Sequence, residues 1–214
     1  MPLREFIDFF LHLDVVLAGV IENYGGWTYA LLFAVIFAET GLVITPILPG
    51  DSLLFAAGTF SGRGSLDLAG LFILLSIAAI LGDTVNYWVG KHLGSWLTSR
   101  QGSRLIRQEH LERTHNFFQR YGAKTIVLAR FVPIVRTFAP FVAGLGTMTY
   151  RTFLIYNVVG ALLWVGLCLA AGHLFGGLPV VRDNFSLVIL AIVIVSLLPA
   201  VFEFVRSRRS QQTP

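Results

Sequence analysis

From Thr152 to Val181 the chain carries no Lys, Arg, Asp or Glu. About 20 consecutive apolar residues are enough for a helix to cross the hydrocarbon of a bilayer. Whether this run belongs in lipid or in a soluble core is decided by the rest of the chain. Its 214 residues are 55% hydrophobic and 13% charged, with a mean hydropathy of +0.73. A soluble domain carries about 25% charged residues. Too few polar groups remain to face water, so the fold class expected is a single all-α integral membrane domain.

Other segments are apolar but interrupted. Residues 1–26 hold Asp8, His12, Asp14 and Glu22 within an apolar stretch, which fits an amphipathic helix lying in the interface better than a crossing. No small-residue cleavage site marks them as a secretory signal. Residues 28–60 contain Glu39 and the breaker cluster Thr45-Pro46-Ile47-Leu48-Pro49-Gly50-Asp51, through which one straight helix cannot pass. Residues 66–90 read as a spanning helix with Asp83 and Asn86 towards its far end. Residues 91–124 hold seven basic residues against Glu109 and Glu112. Residues 125–147 are apolar again but carry Arg130, Pro133, Arg136 and Pro140. Residues 152–176 and 184–205 read as two further spans, and the tail 206–214 brings Arg206, Arg208 and Arg209.

Basic loops stay on the cytoplasmic side of a membrane. The loop 91–124 and the tail are therefore both expected inside. The two last spans already return the chain to the side it left, so residues 125–147 must enter and leave on one side, as a re-entrant hairpin. Residues 28–60 repeat the pattern: charged residue, proline, charged residue, apolar tail, glycine. One closes on Phe55-Ala-Ala-Gly58 and the other on Phe141-Val-Ala-Gly144, and each precedes a span that ends on a glycine-histidine stretch, Gly90-Lys91-His92 and Gly172-His173. With one crossing between them the halves would lie inverted, the pattern that points to a transporter binding site.

Charges inside such segments are costly, about 2.5–3.5 kcal/mol each at the bilayer centre. Glu39, Asp51, Arg130 and Arg136 offer each other neutralisation, and they are the principal site candidates. Arg130 and Arg136 have the planar forks that hold a phosphate. Their spacing places them on different faces of an unbroken helix, and Pro133 between them permits a bend towards one cavity. Glu39 and Asp51 are assigned charge pairing or proton coupling: a carboxylate that gives up its arginine to a cargo phosphate can take a proton instead. The plainer reading of the four is an ion-pair cluster that only stabilises the fold. Asp83, Asn86 and Tyr87 are secondary candidates, with a plainer reading as a polar cluster at the cytoplasmic end of their helix. Trp88, Trp96 and Tyr150 read as interfacial belt residues. His92 and His173 have no partner at metal-type spacing, so no metal or cofactor is expected.

Phe37-Ala-Glu-Thr-Gly41, Leu48-Pro-Gly-Asp-Ser-Leu53, Gly82-Asp-Thr-Val-Asn-Tyr87 and Ala129-Arg-Phe-Val-Pro-Ile-Val-Arg-Thr-Phe138 resemble the DedA family, also called SNARE-associated or VTT-domain proteins. Ala139–Gly144 and Asn157–Trp164 extend the resemblance over nearly the whole chain, most of all to the enterobacterial members. The resemblance implies a multi-pass bacterial inner-membrane protein with two opposed re-entrant hairpins. It implies a lipid translocase supporting envelope homeostasis, with undecaprenyl phosphate as cargo class, and functional positions at Glu39, Asp51, Arg130 and Arg136. Phospholipid scrambling and proton-driven export of a small molecule or ion are the alternatives. The partners expected are a polyprenyl phosphate or phospholipid cargo, membrane lipids, protons as coupling ion and a second copy of the chain, with no nucleic acid. No enzyme is expected: Pro49-Gly50-Asp51 lacks the Gly-x-Gly-Asp context of intramembrane aspartyl proteases, and no rhomboid-like Gly-x-Ser-Gly element is present.

Overall fold

In the computed structural model the secondary structure is entirely helical among the described residues, which are 13–42, 50–98, 122–146 and 148–192. Five expected features lie wholly or largely outside them: the start of the N-terminal amphipathic segment, the Pro46/Pro49 breaker, most of the basic loop, the last span beyond 192, and the tail.

The helices follow from local chemistry. Helix α1, Leu13–Tyr24, stops at Gly25, whose φ of +49° is the left-handed conformation that glycine adopts freely. Helix α2, Trp27–Gly41, and α3, Gly50–Gly62, are the described parts of the first interrupted segment. Helix α4, Leu68–Thr98, starts on a cap: the Gly70 amide donates to the Asp67 carboxylate at 2.5 Å. It runs past Gly90, where the basic loop was expected to begin, because no proline stands between Lys91 and Thr98 to stop it. Helices α5, Lys124–Ala129, and α6, Pro133–Leu145, make the second interrupted segment. Helix α7, Tyr150–Phe175, is followed by the short α8, Pro179–Asp183, and by helical residues 185–192.

Two of these are long and apolar enough to cross a membrane, Leu68–Leu93 and Tyr150–Phe175, at 26 residues each. At 1.5 Å per residue that is about 39 Å, against roughly 30 Å of hydrocarbon. Their outward faces are greasy: Ile73, Ile77, Leu81, Val85 and Val89 stand exposed on α4 at helical spacing. Water would penalise such a stripe, and lipid accepts it.

The described helices divide between two compact units. The first takes the described parts of Met1–Val35, Pro49–Leu75 and Trp164–Pro214, the second those of Ile36–Leu48 and Ser76–Leu163. Within each, an interrupted segment touches a long helix through glycines. In the first unit a Cβ on Gly58 would land on the Leu169 carbonyl, and one on Gly172 would land on that of Phe55. In the second, a Cβ on Gly144 would strike the Tyr87 carbonyl, and one on Gly90 that of Phe141. Backbone approaches this close are how helices associate where no water drives them together. The Phe-x-Ala-Gly and Gly-His stretches paired in the sequence are therefore the two sides of equivalent crossings.

Candidate functional site

The second unit gathers most of the charged candidates. Its interrupted segment breaks just before Pro133: Val132 is extended, at φ −122° and ψ 106°, as a residue preceding proline prefers. Pro133 then opens α6, where its missing N–H costs nothing. The break leaves Arg130 as the C-terminal cap of α5 and Arg136 in the first turn of α6, whose amide donates to the Val132 carbonyl at 2.9 Å.

Arg136 pairs with Glu39, so a residue of the first interrupted segment meets one of the second. Both are buried, Glu39 completely and Arg136 to 8% exposure. Each sits at a helix end that disfavours it, a carboxylate in the last turn of α2 and a cation in the first turn of α6. Only together are they well placed. Glycines make the meeting possible: a Cβ on Gly41 would lie 3.3 Å from the Gly82 Cα, so α2 and α4 nearly touch there.

Arg130 pairs with Asp83 of α4 and donates to Oδ1 of Asn157 on α7. Asn157 in turn donates through Nδ2 to the Ile80 carbonyl at 3.1 Å. The guanidinium stem lies against Gly160, where a Cβ would stand 3.0 Å from Arg130 Cδ and 3.3 Å from Val127 Cα. Gly160→Ala is accordingly expected to lower stability by about 1–2 kcal/mol. Gly26→Ala, with open space around it, should change little. Detergent-solubilised unfolding of the two variants measures the difference, and equal stabilities would mean that Arg130 does not lie on Gly160.

Four further candidates, Asp83, Asn86, Asp51 and Tyr87, also have defined partners. Asp83 and Asn86 are both buried, and Asp83 is the acid beside Arg130. Asn86 donates to the Thr137 carbonyl at 2.7 Å and the Thr40 carbonyl at 3.4 Å. Asp51 belongs to the first unit, where its Oδ1 accepts from Trp164 Nε1 at 2.6 Å. In the first turn of α3 a carboxylate is favoured by the helix dipole. Tyr87 is core: it stacks on Phe153 at 4.5 Å, packs with Ile126, Ala129, Ala139 and Ala143, and gives its hydroxyl proton to the Met148 carbonyl at 2.7 Å. Asn157, Thr137 and Trp164 were missed as contributors because a search for charge passes over neutral side chains. Asn157 was visible as an amide inside an apolar run.

A model of the VTT domain matches residues 48–174. The chain belongs to the VTT-domain, or DedA, family. Protein DedA of Escherichia coli is 53% identical over 206 residues, covering 95% of this chain and 94% of that protein. A membrane protein of Mycobacterium tuberculosis is 40% identical, covering 91% and 86%. The inner membrane protein YqjA of Escherichia coli is 34% identical, covering 72% and 70%. No solved structure matches the chain. With relatives named as membrane proteins and two helices of spanning length, this VTT-family member is a helical membrane protein.

Proposed function

We propose that this VTT-family chain is a non-enzymatic translocase for a phosphorylated lipid in the bacterial inner membrane, with undecaprenyl phosphate as its cargo class. The observation that carries the reading is the burial of Arg136 against Glu39 beside the buried Arg130–Asp83 pair. Buried ion pairs contribute little to stability compared with an apolar core. Two of them buried among apolar helices are better explained by an ionic cargo. In this reading the two interrupted segments are re-entrant hairpins in inverted halves, which the matching glycine crossings support. A cargo phosphate takes the place of Glu39 and accepts paired N–H bonds from the Arg136 guanidinium, and Glu39, its arginine now occupied by the cargo, takes up a proton.

Arg136→Lys tests the clamp. Lysine keeps the charge that the pair with Glu39 needs but loses the fork. Loss of a bidentate phosphate contact, about 1.5–3 kcal/mol, corresponds to a transport rate lower by roughly ten- to a hundredfold. The measurement is headgroup accessibility of undecaprenyl phosphate in liposomes holding the purified protein. A lysine variant that folds normally and transports at the wild-type rate would leave the arginines a purely structural role.

A further inference from the structure

Asn86 is completely buried, yet only one end of its amide is satisfied. Nδ2 donates to the carbonyls of Thr137 and Thr40. Reversing the amide would set Oδ1 against two carbonyl oxygens, so these partners fix its orientation. Oδ1 is left as a buried acceptor with no hydrogen-bond donor among the described residues. Such an atom costs about 1–3 kcal/mol. A chain that keeps one at a site of this kind has a use for a donor that arrives from outside.

Its surroundings say what kind of donor. Thr40 directly follows Glu39, and Thr137 directly follows Arg136. Asp83, the partner of Arg130, lies one turn earlier on α4. Asn86 is thus held between the residues next to one ion pair and a turn away from the other. Arginines ask a ligand for oxygen acceptors, and Asn86 Oδ1 asks it for a hydrogen. A phosphomonoester that retains one proton offers both on one phosphorus atom. A phosphodiester lipid offers the oxygens but has no P–OH.

We propose that Asn86 Oδ1 accepts a hydrogen bond from the P–OH of the cargo, and so selects phosphomonoesters of a lipid alcohol over phosphodiester lipids. This rests on the translocase reading and adds to it the ester class and protonation of the headgroup. Phosphatidylcholine liposomes holding the full chain are loaded with undecaprenyl phosphate or with its monomethyl ester. At pH 5 both carry about one negative charge, since the second ionisation of a phosphomonoester lies near 6. The wild type is expected to move the free monoester about tenfold faster than the methyl ester. In Asn86→Leu the ratio should fall to near one. Equal rates for the two lipids in the wild type would overturn the inference, as would a ratio that survives in Asn86→Leu. Should that variant not fold, the wild-type comparison decides alone. If neither lipid moves faster than in protein-free liposomes, the translocase reading falls and takes this inference with it.

Discussion

Arg130→Met is expected to destabilise the protein by about 3–5 kcal/mol, the cost of leaving a buried charge without its partner. Asp83 is 4% exposed, so bulk solvent has little access to replace the guanidinium. Asn157 Oδ1 loses a donor in the same step. The double variant Arg130→Met with Asp83→Leu should recover most of the loss, because an apolar pair of similar volume fits a greasy unit as well as the ion pair does. Transport should not recover. Unfolding in mixed micelles of all four combinations gives the coupling between the two positions. A coupling below about 0.5 kcal/mol would mean that they do not share a bond.

The second large effect concerns the crossings. Gly144→Ala and Gly58→Ala are each expected to cost about 2–3 kcal/mol. In both, the added methyl meets a backbone carbonyl, that of Tyr87 or of Leu169, and a backbone cannot rotate aside as a side chain can. The helices must separate, and every contact along the crossing weakens. Gly19→Ala, with nothing within 4 Å, is the control that carries the same change in helix propensity without the clash. If the control and the two crossing variants unfold together, the helices do not approach as described.

Much of this was open to reading from sequence, for a physical reason. A charge in an apolar run is conspicuous because it is expensive, so Glu39, Asp51, Arg130 and Arg136 marked themselves, and Asp83 followed as a secondary candidate. Which acid serves which arginine was not readable. The pairs close over separations of 47 and 97 residues, and no local spacing encodes such distances. The bond between Asp51 and the Trp164 indole closes over 113 residues and was equally hidden. The Phe-x-Ala-Gly repeat was legible as a pattern. That its glycines mark backbone contact needed the third dimension, since a missing side chain carries no sign of what it makes room for.

The glycine crossings have one more consequence. Most protein cores are gathered by the expulsion of water, a force that fades on cooling. Between helices in lipid that force is absent, and what remains is dispersion and weak Cα–H···O attraction between surfaces that fit. Neither declines in the cold. The grip of α3 on α7, and of α6 on α4, should hold as well in a chilled cell as in a warm one, so that the fluidity of the surrounding lipid, rather than the cohesion of the helices, sets the lower temperature limit for motion.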